Sequence, residues 1–592
     1  MKKNILSTIL IAFACTGLQS CMDFDAPLDE NLSSDVEFDD VVYHGKADNI
    51  DYHKNITPEG FSEAETTLKG YFGQMLTAQY AMRGGKEANM PGGHAYQYQF
   101  SLCVDNYAGY FCLPHNFDGR INSTYYINTD FNSGPNGSYN IVKNGLSPML
   151  NHPKIDSIPE MKAIGLLLLD YASQEMADIY GPFSFFNYKE NQQEHPFTYN
   201  SLEDIYINIV DNLDTISACL KNYNQRPDWY KKKITSLLRN YDAVTQDWSL
   251  DTWRRFANSL KLRMAMRVVK VLPNKAKEWA EQAVKEGVIE TTEQEVGLFP
   301  SLIGFTNPLV EISETWSDTR LNASFESLLM SLEHPYTEYL FKKNSNSLIN
   351  ENNEDQILPA ESRLVGLRAG IEMIPGQSYD NNPRTAYSRL NTRIMANAPL
   401  YLMKLSEVDF LRAEGKLYGW NMGPESVEFY YYRGIDNAYI DDRNTGAPEY
   451  ATKLTAYKAL ETAVDYTYMD PMNEKNNIKS VTKIGVKWNE GDASETKLEK
   501  IITQKYIALF PYSFEAWSEL RRTGYPKIFP VLNVEDGDGS LLEGDLIRRM
   551  PFPGNTSAIQ YDIVNSGLDA LGGEDLQSTR LWWDIDKPNF DS

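Results

Sequence analysis

The 592-residue chain is poor in the side chains that usually carry chemistry. It holds five cysteines and seven histidines, and His44, His53, His94, His115, His152, His195 and His334 fall at no metal-ligand spacing. No CxxC, HExxH, GxSxG, Walker A or GxGxxG pattern occurs, so zinc hydrolysis, serine hydrolysis and nucleotide chemistry lack their usual machinery. Glu535-Asp536-Gly537-Asp538-Gly539-Ser540 resembles a calcium loop but fails the EF-hand register. Counted from Asp536, the sixth position is Leu541 instead of glycine and the twelfth is Ile547 instead of glutamate. A solvated acidic turn is the expectation there; no cofactor is expected, and a structural calcium has no motif to support it. Positive charge is also short, with 56 Lys and Arg against 81 Asp and Glu. A net charge of −25 argues against nucleic acid or anionic lipid as a partner. Past the first twenty residues no uninterrupted apolar run approaches the ~18 residues that span a bilayer.

The first twenty residues are a different matter. Lys2 and Lys3 precede an apolar run from Ile5 to Ala14, broken only by Ser7 and Thr8. That run suits a signal segment and is too short for a membrane span. It ends in Leu18-Gln19-Ser20-Cys21, a bacterial lipobox, which predicts that residues 1–20 are removed and Cys21 is lipidated. At roughly 0.8 kcal/mol per buried CH₂, a multiply acylated Cys21 is an effectively permanent anchor in the lipid bilayer. Residues 21–56 then read as an acidic tether and N-terminal segment, and residues 57–592 as one domain. With Cys15 lost and Cys21 acylated, Cys103, Cys112 and Cys219 remain. An exported compartment permits disulfides. Cys103–Cys112 is the local pairing, and buried free thiols are an equal alternative.

The strong periodic signals are helical. Ser157-x-x-Glu160 with Pro159 predicts a capped helix that continues to Gly181-Pro182. Ser201-x-x-Asp204 opens a second, with Leu202, Ile205, Ile209, Leu213, Ile216 and Leu220 on one stripe. Trp253, Phe256, Ala257, Leu260 and Met264 mark a third, and Pro399 to Gly419 a fourth. Leu498, Ile501, Ile502 and Leu509, stopping at Pro511, mark a fifth. Between them lie Gly-, Asn- and Tyr-rich stretches at 84–151, 300–398 and 425–450, and loops that long are usually functional. The fold expected is mostly α: a tetratricopeptide-like scaffold of helical hairpins, with long irregular loops forming a ligand face.

Five segments, in order, carry a family resemblance. They are Ala163-Ile164 through Asp178-Ile179-Tyr180-Gly181-Pro182-Phe183; Trp253-Arg254-Arg255-Phe256 through Arg263; and Leu402 through Ser406-Glu407-Val408-Asp409-Phe410-Leu411-Arg412-Ala413-Glu414. The fourth joins Gln504-Lys505-Tyr506 to Glu515-Ala516-Trp517-x-Glu519-Leu520-Arg521-Arg522-Thr523-Gly524. The last is Arg548-Arg549-Met550-Pro551-Phe552-Pro553 with Trp582-Trp583-Asp584. Behind a lipobox, these resemble the SusD/RagB family of nutrient-binding outer-membrane lipoproteins of Bacteroidota. The resemblance implies four helix pairs as scaffold, no catalytic residues, and a partner of the SusC type, a TonB-dependent transporter. It also implies that Asp23 and Asp25 belong to a surface-export signal, and that Trp253, Arg255, Trp517 and Arg521 are scaffold.

A lid of this kind would hold an oligosaccharide by rings stacked on sugar faces, helped by Asn, Asp, Gln and Arg. The richest loop runs from Tyr96-Gln97-Tyr98-Gln99-Phe100 through Tyr107 and Tyr110 to Tyr125-Tyr126. Trp316 with Asp318 and Arg320 is a second candidate and Tyr430-Tyr431-Tyr432-Arg433 a third. The site residues named are Tyr96, Tyr98, Tyr107, Trp316, Asp318 and Arg320. A peptide or other polymer fits the same role; a surface glycan hydrolase or a β-rich adhesin is the weaker alternative.

Overall fold

The computed structural model describes residues 46–590, except 86–89, 116, 118–121, 131, 345–361, 373–385 and 440–449. The signal segment, Cys21, Asp23 and Asp25 lie outside the described residues. Among the described residues, the scaffold includes ten helices that position the site. They are α1 (Lys69–Ala81), α2 (Gly134–Asn151), α3 (Pro159–Tyr180), α4 (Leu202–Asn222) and α5 (Leu250–Arg267). The rest are α6 (Pro273–Glu286), α7 (Leu405–Leu417), α8 (Val427–Asp436), α9 (Ser494–Leu509) and α10 (Ser513–Thr523). From α1 to α6 each helix packs on the next, while α7 lies against α5, α8 and α9, and α9 against α10. One continuous core runs from Ala47 to Trp583. Packing therefore begins upstream of residue 57.

Local chemistry explains the helix ends. At α4 the Ser201 hydroxyl accepts from the Asp204 N–H at 3.1 Å, and the stripe from Leu202 to Leu220 is buried. Burying each such Leu or Ile is worth about 1.5–3 kcal/mol. Helix α3 is buried on every side and ends at Gly181, whose φ of 91° suits glycine. The capping box expected at its start does not form. Ser157 closes a preceding 3₁₀ turn, Pro153–Ser157. Glu160 turns into the core instead, where it accepts from Tyr230 and, at 3.3 Å, from Arg226.

Charges inside the bundle pair across helices. Arg263 of α5 meets Glu407 of α7 at 2.7 Å, and Arg267 meets Asp178 of α3 at 3.2 Å and Glu515 and Glu519 of α10. Lys505 of α9 reaches Glu515 at 2.9 Å, Arg522 reaches Glu414 at 2.7 Å, and Arg83 reaches Glu175 at 2.9 Å. Removing one member of such a buried pair costs about 3–5 kcal/mol, because its partner is left charged in a dry interior. Trp253 and Trp517 belong to the same scaffold, donating to Asp242 and to the Ile547 carbonyl, each at 3.0 Å.

Three stretches read as loops hold more structure than expected. Helix α2 lies within 84–151, its helical pattern interrupted by Pro148 and three glycines. Helix α8 occupies the start of 425–450, and Ala323–Ser331 is a further helix within 300–398. The fourth predicted helix starts late, since Leu400–Met403 is β4, pairing antiparallel with β2 (Val296–Leu298). A fully buried apolar run of four looks alike as strand or helix. Cys103, Cys112 and Cys219 are buried free thiols. Asn322 Nδ2 donates to Cys112 Sγ at 3.1 Å, and no Cys103–Cys112 bridge forms.

Candidate binding site

A two-residue strand pair brings distant segments together. Strand β1 (Phe111–Cys112) pairs antiparallel with β3 (Arg320–Leu321), setting Cys112 opposite Arg320. Beyond that point the chain runs on to His115 on one side and arrives from Asp318 on the other. His115 Nε2 lies 2.8 Å from Asp318 Oδ1, and Gln97 Nε2 donates to Asp318 Oδ2 at 2.7 Å. Asp318 also donates its N–H to the Ile312 carbonyl at 2.9 Å. Asp318 is thus a pin between the 93–101 segment, His115 and the loop that carries Trp316.

That loop is shaped by its own backbone. A π-turn over Glu311–Thr315 ends with the Trp316 N–H donating to the Glu311 carbonyl at 3.0 Å. Ser317 follows at φ 61°, a left-handed conformation that costs a non-glycine residue about 1–2 kcal/mol. Arg320 holds it there, donating to the Ser317 carbonyl at 3.2 Å, the Ser317 hydroxyl at 2.7 Å and the Thr319 carbonyl at 2.7 Å. The result presents Trp316 half-buried, its ring centroid 4.6 Å from that of exposed His94, with the planes 34° apart. Gly93 lies beneath. A Cβ there would come within 2.6 Å of Trp316 Cη2 and 2.4 Å of Glu311 Oε2, so a larger residue would force these side chains to shift.

The six residues named from sequence divide by position. Trp316 and Tyr98 are half-buried and keep exposed surface. Asp318 and Arg320 are buried and hold the loop together. Tyr96 is only 2% exposed, stacked on Phe100 at 4.6 Å, and burial pushes its phenol well above the ordinary range. Tyr107 is buried, its hydroxyl donating to the Tyr126 carbonyl and its ring 5.3 Å from Trp517. The expectation of ligand contact is corrected for Tyr96 and Tyr107, because packing covers both rings. Tyr110 and Tyr125 are buried too, the latter donating to the Leu532 carbonyl at 3.0 Å. The third candidate is also packed into the scaffold: Tyr431 donates to the Val486 carbonyl at 2.7 Å, and Arg433 Nε to both Asp409 oxygens at 2.9 Å.

Sequence reasoning missed Gly93, His94, His115 and Glu311. No local pattern marks them, since the β1–β3 pairing joins positions about two hundred residues apart. Below this region Asp105 is fully buried and accepts from the Ser513 hydroxyl at 2.5 Å. Burial raises its carboxyl to about 7, against the lowering effect of that hydrogen bond. At the former calcium candidate, Asp538 instead accepts from the Ser540 and Gln577 N–H groups at 3.0 and 2.6 Å. Among the described residues, no group of three His, Cys, Asp or Glu side chains is placed to hold a metal ion. No helix among them is long and apolar enough to cross a membrane.

The helical-hairpin scaffold has close structural counterparts. Residues 49–584 match the family model described as SusD-like, the SusD and RagB outer membrane lipoproteins. The chain belongs to this family. A structure of a chitin-binding SusD homolog from Flavobacterium johnsoniae superposes with a TM-score of 0.72 at 29% identity, covering 88% of this chain and 100% of that one. A SusD homolog from Bacteroides thetaiotaomicron gives 0.70 at 28% identity, covering 87% and 99%. One from Bacteroides uniformis gives 0.67 at 27%, covering 87% and 99%. Comparison with curated proteins found no significant match.

Proposed function

We propose that this protein is a non-catalytic, surface-exposed lipoprotein that captures a glycan oligomer and passes it to a SusC-type TonB-dependent transporter. The observation that carries the glycan reading is the Trp316–His94 ring pair, held in place by Asp318, Gln97, His115 and Arg320. A flat ring set on a fixed loop offers a sugar face contact area without an ordering cost on the protein side. The chitin-binding relative supports testing N-acetylglucosamine oligomers first. Acylation at Cys21 is the proposed anchor, resting on the lipobox and on membership in a lipoprotein family.

Binding here requires no bond to be made or broken. The sugar ring covers the indole, its hydroxyls exchange water for nearby polar groups, and release follows as the oligomer transfers. Isothermal titration against N-acetylglucosamine, glucose and uronic acid oligomers tests the ligand. Affinity purification from detergent-solubilised outer membranes tests the partner, with a co-eluting TonB-dependent barrel as the expected result. Peptide binding without glycan binding, or release of reducing ends by the purified protein, would overturn the proposal.

A further inference from the structure

The rim of the ring pair carries a charge that the scaffold does not use. Glu311 is exposed, and its carboxylate makes no hydrogen bond or ion pair with any described residue. Its neighbour Glu314, by contrast, is paired with Arg389 at 3.0 Å and Lys342 at 3.3 Å. Glu311 is also held close to the rings: its Oε2 and the Trp316 Cη2 atom both crowd the place where a Gly93 Cβ would stand. Its backbone carbonyl receives the Trp316 N–H, so one turn carries both side chains.

We infer that this edge selects a cationic amino sugar, a hexosamine whose ring lies on Trp316 and whose free ammonium pairs with Glu311. The inference rests on the glycan reading above and narrows it from glycans in general to oligomers bearing unacetylated amines. An N-acetylated or neutral sugar can use the ring but gives an anionic rim no charge to pair, whereas an ammonium group satisfies both at once. The net charge of −25 adds a long-range attraction for such oligomers that falls with salt. That nonspecific share has to be separated from the local one.

The test is titration calorimetry of the purified protein with glucosamine tetramers and hexamers, their N-acetylated counterparts, and cello-oligomers. Each ligand is measured at low and high salt. The glucosamine oligomer is expected to bind about two- to fivefold more tightly than the acetylated one, the size of a single exposed ion pair. Glu311→Gln should erase that preference while leaving the acetylated oligomer within about twofold of its original affinity. Glu203→Gln, an exposed acid on α4, should leave the preference intact. Trp316→Ala should weaken both forms together. Equal affinity for the two forms, or a preference that survives Glu311→Gln, overturns the amino-sugar assignment and leaves glycan binding standing. Failure of every glycan to bind overturns both readings.

Discussion

Replacing Asp318 with alanine removes the pin without touching the ring it positions. The carboxylate accepts from Gln97 at 2.7 Å and from His115 at 2.8 Å, so two charge-assisted hydrogen bonds are lost together. Each such bond is worth about 1.5–3 kcal/mol, and Gln97 is left with a buried amide donor that has lost its acceptor. His115 keeps some solvent access, its side chain 13% exposed, so water recovers part of its loss. The expected cost is at the low end, about 3 kcal/mol, read as a lower urea midpoint with an unchanged slope. Because the Trp316 loop then loses its tie to the 93–101 segment and His115, while Arg320 and the Glu314 pairs with Arg389 and Lys342 remain, the ring should sample more orientations. Affinity for an N-acetylglucosamine oligomer should fall about tenfold even though both Asp318 oxygens are already engaged by Gln97 and His115. Gln97→Leu should show the same sign with a smaller effect. Full affinity in folded Asp318→Ala would refute the argument that this pin positions the platform.

Buried carboxyls should give the fold a distinctive pH response. Burial raises Asp105 and Glu326 to about 7, above their unfolded values of roughly 4, so both bind a proton more tightly when folded. Their stabilising contribution is complete below about pH 4 and is lost as pH rises through 7. The thermal midpoint should therefore be lower at pH 8 than at pH 5.5, and Asp105→Asn with Glu326→Gln should narrow that gap; an unchanged gap would remove both groups as its source. Cys21→Ser should release the protein from the membrane fraction with an unaltered circular dichroism spectrum. Retention after a high-salt wash would contradict the lipobox reading.

How much was legible in the sequence depended on whether a signal was local. The stripe from Leu202 to Leu220 and the cap at Ser201 are written in consecutive turns, and the structure follows them. Helix α2 was hidden because Gly137, Gly145 and Pro148 imitate loop composition, although tertiary packing against α1 and α3 makes the segment helical. Ser157-x-x-Glu160 misled for a related reason: the motif matched, but Tyr230 and Arg226 offered Glu160 a buried partner. At the site, Trp316, Asp318 and Arg320 were visible as a cluster, and the structure assigns each a place. Tyrosine density was a poor guide, since Tyr96, Tyr107, Tyr110 and Tyr431 all fill the interior. The partners His94, His115 and Glu311 depend on a strand pairing that no local pattern encodes.

The most direct test is Trp316→Ala, with affinity and stability measured on the same preparation. Its ring is half-buried at the edge of the core and flanked by exposed His94, so truncation should cost only about 1–2 kcal/mol of stability. A stacking platform should lose about 1–3 kcal/mol of binding, by analogy with base–aromatic stacking, or about 5- to 150-fold in Kd for an N-acetylglucosamine oligomer. The account predicts that weakened binding in a protein whose melting temperature is nearly unchanged. Unaltered affinity in the folded variant, above all with the stability loss of about 3–5 kcal/mol typical of a core tryptophan, would contradict it.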